Sequence, residues 1–164
     1  MMNADLPYPS LDGIKEDLRT LRIISPAYAG REGELTAVLQ YVYQAIFLGA
    51  CGEDKAGKTI MSIAVSEMHH VELLGTLITK LGAPPVFASC PPYPVGFYSA
   101  ACVNYAKEKR AMLLADICAE KEAIRTYEQM LCMMENPRAA ELIKRIIADE
   151  KVHLQAFQEL LADC

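Results

Sequence analysis

The sequence lacks the features that mark several common classes of protein. Its 164 residues contain no run of 18 uninterrupted apolar side chains, so no membrane span is predicted. The N-terminus has no basic region followed by an apolar run, which argues against a signal peptide. There is no block of Lys or Arg, and the net charge is −5, so we expect no nucleic-acid partner. Together these features predict a cytoplasmic protein.

Cysteines are present, but they lack the spacing of a metal-binding or redox motif. Six are scattered along the chain, and no two of them form a Cys-x-x-Cys pair. An appended rubredoxin-type iron site needs two such pairs and is therefore excluded. The scatter is typical of reduced thiols in a cytoplasmic protein rather than of a disulfide framework. We expect most of these thiols to be buried.

Glycine and proline divide the chain into one short and four long predicted helices. The short helix is capped by Ser10 and is broken by Ser25 and Pro26. The predicted helices cover residues 11–24, 31–48, 56–81, 101–134 and 138–161. We interpret the chain as one domain, with residues 1–29 as an N-terminal extension and residues 30–164 as a four-helix bundle.

The connections between the long helices predict how they are arranged. The loops near residues 49–54 and 136–137 are short, so each joins an antiparallel pair. Residues 83–99 contain five prolines and form an extended connection rather than a helix. That segment can reach about 56 Å, whereas a helix of about 26 residues is about 39 Å long. The two middle helices can therefore run parallel, as a bundle with one long crossover requires.

Two of the long helices carry the same motif, Glu-x-x-His, once at Glu67 and His70 and again at Glu150 and His153. Residues three apart lie on one face of a helix, so each pair can hold a metal ion from one side. Both pairs lie within apolar stripes, where charged groups are costly unless they are paired or bound to metal. A buried Glu–His hydrogen bond without metal is the alternative, and it explains one helix better than two.

The other two long helices each place one acid on the apolar stripe, at Glu34 and Glu120. Counted from the short loops, all four acids lie about 20 Å along the bundle at about 1.5 Å per residue. The four acids can therefore meet in one layer. This agreement predicts a site for two metal ions, formed by Glu34, Glu67, His70, Glu120, Glu150 and His153.

The arrangement resembles the ferritin-like di-metal carboxylate proteins, among them bacterioferritin, rubrerythrin and manganese catalase. The resemblance extends over residues 31–161 and includes the segment GELTA at residues 33–37. It implies an all-α, ferritin-like four-helix bundle with one long crossover, preceded by a short helix. The ligand roles that it implies are terminal carboxylates at Glu34 and Glu120, bridging carboxylates at Glu67 and Glu150, and terminal imidazoles at His70 and His153.

The resemblance also implies residues around the ligands. Similar proteins use an Asp at the position of Asp149 to hold the opposing His, which fixes its tautomer and orientation. Ser66 occupies the matching position on the other helix, a departure that would weaken the support of His153. Tyr41 and Tyr127 each follow a stripe glutamate by seven residues, so both should lie two turns along the same face. They are either donors near the metals or ordinary core residues.

Two neighbours of the ligands need no special function. In bacterioferritin, a Met directly after the second-helix Glu ligates haem, and Met68 matches that place. Met is also a common core filler, so we expect no haem. His69 is expected to face solvent.

The resemblance implies an oxidoreductase in which two iron or two manganese ions react with peroxide or dioxygen. The ligand types suit either metal. Ferritin-type ferroxidase activity with iron storage is one alternative, and a metal-free helical interaction protein is another. The implied partners are a small-molecule oxidant, a separate electron donor if the protein is a peroxidase, and further copies of the chain in a homo-oligomer.

Overall fold

The computed structural model describes residues 1–88 and 96–164. Within those residues the chain forms one short and four long α-helices. Their bounds are α1 Leu18–Ala29, α2 Glu34–Ala50, α3 Asp54–Lys80, α4 Lys109–Met133 and α5 Pro137–Ala162, with a 3-10 helix at Ala100–Cys102. The predicted all-α bundle with a preceding short helix is confirmed. Part of the predicted extended connection, residues 89–95, lies outside the described residues.

The bounds predicted for the first helix are wrong at both ends. Asp17, not Ser10, caps α1 by accepting bonds from the next turn, whereas the Ser10 hydroxyl bonds to Asp12 in a turn. At the other end α1 continues through Pro26 to Ala29. Proline removes one helical N–H, but Pro26 and the Arg22 carbonyl that would have accepted it belong to exposed residues. Solvent can hydrate that carbonyl, so the break does not occur.

The third bundle helix begins eight residues later than predicted, at Lys109 rather than at residue 101. Polar contacts occupy the intervening backbone instead. The Asn104 side chain accepts the Ala106 N–H at 3.0 Å, and the Asn104 N–H donates to the Gln40 side chain at 3.0 Å. Local bonds of this kind compete with helix formation. They lengthen the connection between α3 and α4 to residues 81–108.

Two apolar clusters fill the bundle, one on each side of a polar layer. The first joins α1 to the second half of α3 and to the loop-side ends of α4 and α5, around Leu77 and Ile146. The second joins the α2–α3 loop end to the far ends of α4 and α5, around Ile60 and Phe157. The Glu-x-x-His motifs lie between the two clusters along α3 and α5. The fold therefore surrounds that layer with apolar packing on both sides.

The described cysteines do not behave as predicted. Cys51, Cys118, Cys132 and Cys164 are exposed and Cys102 is half-buried. The expectation of mostly buried thiols is wrong, because these cysteines lie on outward faces and at helix ends rather than on the apolar stripes. All five are free thiols, and Cys90 lies outside the described residues. None of the helices in the described part of the chain is long and apolar enough to cross a membrane.

Candidate metal centre

Four helices each contribute an acid to one buried layer, and α3 and α5 each add a histidine. Glu34 is the first residue of α2, three residues later than the predicted helix start, because Gly33 adopts an extended conformation before it. Glu67 and His70 lie inward on α3. Glu120 lies inward on α4, and Glu150 and His153 lie inward on α5. The structure brings all six predicted residues together, and the most exposed, Glu34, is only 5% exposed.

The six side chains form two overlapping groups. In each group the potential ligand atoms lie within 4.8 Å of one another. Two glutamates, Glu67 and Glu150, belong to both groups. Their shared position is the geometry expected of carboxylates that bridge two ions. The groups are Glu34, Glu67, His70 and Glu150, and Glu67, Glu120, Glu150 and His153.

Both imidazoles turn the same nitrogen towards the shared carboxylates. His70 Nδ1 lies 2.9 Å from Glu67 Oε2 and 3.1 Å from Glu150 Oε1. His153 Nδ1 lies 2.8 Å from Glu67 Oε1 and 3.3 Å from Glu150 Oε2. The two rings are 5.8 Å apart between centroids. Each imidazole therefore presents Nδ1 to the interior and Nε2 to the outside of the layer.

The electrostatics of the layer reflect four acids that are buried close together. Burial, together with the charges of Glu150 and Glu67, raises the pKa values of Glu34 and Glu120 well above their usual range. Burial opposes the charged form of Glu67 too, but the adjacent His153 and His70 lower its pKa. Burial likewise disfavours the charged form of His153, yet the Glu67 carboxylate raises its pKa to about 10. Without a cation, protons must balance the clustered carboxylates.

The residues present fit a pair of divalent cations. Glu67 Oε1 and Glu150 Oε1 are fully buried, and neither makes a hydrogen bond of good geometry within the described residues. Buried carboxylate oxygens that lack a well-aligned hydrogen bond are costly, and a metal ion would satisfy both. Two divalent ions would also balance the charges of the four carboxylates. Oxygen and imidazole ligands suit manganese, iron or zinc.

The two predicted tyrosines bond to Glu120 and Glu34 from opposite helices. The Tyr41 hydroxyl, on α2, donates to Glu120 on α4. The Tyr127 hydroxyl, on α4, donates to Glu34 on α2. Burial and the nearby carboxylates raise the pKa of each phenol well above its usual range, so both remain proton donors. The pairing is reciprocal between the two helices.

Outside His70, a buried carboxylate accepts from the imidazole. His70 Nε2 lies 3.1 Å from Asp149 Oδ2. Burial opposes ionisation of Asp149, but its bonds to His70 and Arg145 lower its pKa. Arg145 Nη1 lies 2.5 Å from Asp149 Oδ1, and the Tyr8 hydroxyl donates to Oδ2 at 2.6 Å. An ionised Asp149 leaves the proton of His70 on Nε2 and the lone pair of Nδ1 free for a metal.

Outside His153, the acceptor is a backbone carbonyl. His153 Nε2 donates to the Met2 oxygen at 2.8 Å. Ser66 holds the same residue, since its hydroxyl accepts the Met2 N–H at 2.8 Å. The departure at Ser66 therefore does not leave His153 without support. This contact could not be predicted from the sequence, because nothing in the pattern of residues 1–8 marks it.

A second buried acid escaped the sequence analysis. Asp116 lies one turn before Glu120 on the inward face of α4 and is fully buried. Its Oδ1 accepts from Gln40 Nε2 at 2.8 Å and from Gln44 Nε2 at 2.9 Å. Burial raises the pKa of Asp116 to about 7, against the opposing effect of the two amides. Its spacing of four from Glu120 was the signal that could have identified it.

The two residues between Glu67 and His70 on α3 lie outside the layer. Met68 is 53% exposed on the outer surface of α3, and nothing in the described residues places it against the site. His69 was predicted to face solvent, but it is half-buried. Its ring packs edge-on against Tyr8, with centroids 4.8 Å apart. Its Nδ1 lies 3.0 Å from Glu72. Neither side chain touches the six clustered residues.

Comparisons with known proteins agree with this geometry. The sequence profile of the family described as manganese-containing catalase matches residues 20–87, which include Glu34, Glu67 and His70. Protein CotJC of Bacillus subtilis (strain 168) is 26% identical over 150 residues, covering 80% of this chain and 77% of that protein.

Solved structures extend the comparison to the whole bundle. KatB, a manganese catalase from Anabaena, superposes with a TM-score of 0.83 at 22% identity, covering 99% of this chain and 80% of that one. Desulfovibrio desulfuricans bacterioferritin, described as having a diiron site, gives a TM-score of 0.68 at 24% identity, covering 87% and 78%. The predicted resemblance to the ferritin-like di-metal carboxylate superfamily is confirmed.

Proposed function

We propose that this protein binds two manganese or iron ions in the buried layer and decomposes hydrogen peroxide. The observation that carries the proposal is the pair of overlapping ligand groups that share Glu67 and Glu150. Manganese is favoured by the match of residues 20–87 to the manganese-containing catalase family and by the likeness to KatB. The terminal ligands would be Glu34 and His70 on one ion, and Glu120 and His153 on the other.

The overall reaction needs no separate electron donor. One peroxide is reduced to two waters, and a second gives up two electrons and two protons to become dioxygen. A bound pair of redox-active ions would store the two electrons between these half-reactions. An iron-containing peroxidase would differ in needing a reductant from another protein.

The residues of this chain would prepare the layer for that chemistry. Glu67 and Glu150 would hold both ions, and Glu34 and Glu120 would each complete the ligand set of one ion. Tyr41 and Tyr127 keep one oxygen of each terminal carboxylate engaged. Because both phenol pKa values are raised, the tyrosines stay protonated and orient Glu120 and Glu34 rather than compete for the metal. The apolar clusters on both sides limit access of water.

Metal analysis and a peroxide assay test the proposal together. Purified protein should contain about two manganese or iron ions per chain, and it should release one dioxygen for every two peroxides consumed without added reductant. Consumption only with a reductant would assign a peroxidase instead. Protein that takes up no metal from excess Mn(II) or Fe(II) would overturn the proposal and favour a helical interaction protein.

Ferroxidase activity is the second candidate, and the likeness to a bacterioferritin with a diiron site supports it. It predicts rapid oxidation of added Fe(II) by dioxygen and an assembly large enough to enclose an iron core. Size-exclusion chromatography with light scattering separates the two functions. A dimer or small oligomer favours peroxide decomposition, and a hollow shell of many subunits favours storage.

A further inference from the structure

The first eight residues lie across α3 and α5 immediately outside the candidate metal centre. We call residues 1–8 the N-terminal strap. Its backbone is held at several points: Ala4 N–H donates to Asp149 Oδ1 at 2.7 Å, and Arg145 donates to the Ala4 and Leu6 oxygens, each at 2.9 Å. The Arg145 guanidinium also lies 4.1 Å from the centre of the Tyr8 ring. The strap is therefore fixed to the outer side of the ligands.

The strap contacts a place where the two Glu-x-x-His helices differ. On α5 the residue before the shared glutamate is Asp149, and its carboxylate accepts from the opposing His70. On α3 the equivalent residue is Ser66, which makes no hydrogen bond to His153 within the described residues. The acceptor for His153 comes from the strap instead, as the Met2 oxygen at 2.8 Å.

We propose that the strap is a working part of the metal centre, in which the Met2 carbonyl positions His153 and Ser66 positions Met2. Ser66 accepts the Met2 N–H at 2.8 Å and donates to the Asn3 side chain. The serine and the strap together replace the carboxylate that Asp149 supplies on the other side. The inference rests on the proposed function, because it assigns His153 as a metal ligand.

The physical effect follows from where the carbonyl places the proton of His153. A carbonyl oxygen can only accept, so Nε2 of His153 carries the proton that is donated to Met2. Nδ1, which faces Glu67 and Glu150, is then the nitrogen that would bind a metal ion. Loss of such an outer partner typically lowers metal affinity about 10- to 100-fold. The loss should fall on the ion held by His153 and Glu120, while Asp149 still supports His70.

Cobalt binding to a shortened chain tests the assignment without any assay of activity. Metal-free protein of full length and a chain beginning at Leu6 are titrated with Co(II) and followed by visible absorption and calorimetry. The full chain should bind two Co(II). The shortened chain should keep one site and bind the second about 10- to 100-fold more weakly, with a changed spectrum for that ion only.

A new acceptor for His153 on α3 distinguishes a positioning role of the strap from a general loss of structure in the shortened chain. In the shortened chain, Ser66→Asp places a carboxylate at the position that Asp149 occupies on α5, and it should restore the weakened site. Ser62→Asp, one turn earlier on α3, adds the same charge away from His153 and should restore nothing. Circular dichroism and thermal melting of each variant establish that it is folded.

Each outcome decides the matter. A folded shortened chain that binds two Co(II) with unchanged affinity overturns the proposal, and so does equal rescue by Ser62→Asp. If the shortened chain does not fold, Ser66→Ala in the full chain takes its place, with Ser62→Ala as its control. A weakened second site in Ser66→Ala alone supports the inference, and two unchanged sites overturn it. A full-length chain that binds no metal refutes the proposed function itself, which is a distinct result.

Discussion

The two halves of the candidate metal centre are built alike on the inside and differently on the outside. Inside, α2 and α3 supply two acids and a histidine, and α4 and α5 supply the same set. Outside, His70 faces the carboxylate of Asp149, whereas His153 faces the backbone oxygen of Met2. The positions of the inner residues are set by helical spacing, so the same arrangement can occur in both helix pairs. The outer partners depend on contacts between distant parts of the chain, so they can differ between the two halves.

The largest effect should come from a residue that both halves share. Glu67→Gln removes a carboxylate that belongs to both ligand groups, so metal content should fall from about two ions per chain to near zero and peroxide turnover should be lost. Glu34→Gln, which alters one group only, should leave about one ion. Elemental analysis of the purified variants measures both.

Glu72→Gln is the matched control for this experiment. Glu72 lies on α3 near Glu67, but its side chain is exposed and bonds only to His69 among the described residues. The variant should bind two ions. Stoichiometric metal retained in Glu67→Gln would contradict the assignment of Glu67 as a shared ligand.

A large but one-sided effect should come from Asp149→Asn. The change removes a buried charge that pairs with Arg145 at 2.5 Å and with His70 at 3.1 Å. Breaking one partner of a buried pair costs about 3–5 kcal/mol, because the other charge is left without compensation. Urea unfolding of the metal-free protein measures that loss, and Co(II) titration should show that the ion at His70 is weakened.

The exposed acid Glu141 provides the control on the same helix. Glu141→Gln should leave stability and both ions unchanged, since surface substitutions usually alter the free energy of unfolding by less than about 0.5 kcal/mol. If Asp149→Asn weakened the ion at His153 instead, the pairing of outer partners with histidines described above would be wrong.

The contrast between inside and outside also explains what the sequence could predict. The repeated Glu-x-x-His spacing and the equal distances from the loops indicate the inner layer, because a helix converts residue number directly into height and direction. The contact between Met2 and His153 joins residues 151 apart, and no periodic pattern describes the strap. The continuation of α1 past Pro26 was not predicted either, because the sequence does not show that Pro26 and Arg22 lie on the exposed side of the helix.

An effect of intermediate size should appear in the pH dependence of stability, because only one half of the centre contains an additional buried acid. Asp116 lies four residues before Glu120, whereas the position four before Glu34 is Gly30, so only one half has this buried acid. Burial raises the pKa of Asp116 to about 7, above its unfolded value, so the folded protein binds the proton more tightly. Wild-type stability should therefore fall relative to Asp116→Asn as pH rises from about 4 to about 7.

The size of this difference follows from the pKa shift at about 1.4 kcal/mol per unit. We expect the wild-type protein to lose about 2–4 kcal/mol relative to the variant across that range, and little more above it. Urea unfolding of both proteins at pH 5 and pH 8 gives the difference directly. A difference that is the same at the two pH values would show that Asp116 does not change protonation there.

The smallest effect should be an equal loss of stability on removing the tyrosine hydroxyl from either half. Tyr41→Phe and Tyr127→Phe each remove one hydroxyl that donates across the bundle, to Glu120 and to Glu34 respectively, without changing the apolar ring. Each should lower the free energy of unfolding by about 1–2 kcal/mol, the usual cost of leaving a buried acceptor without its donor. Because the two bonds are reciprocal, the losses should agree within about 0.5 kcal/mol.

Tyr43→Phe on α2, whose hydroxyl bonds only to backbone oxygens near Ala106 in the described structure, is the control. Unequal losses at Tyr41 and Tyr127 would show that the difference between the halves reaches the ligands themselves and is not confined to their outer support.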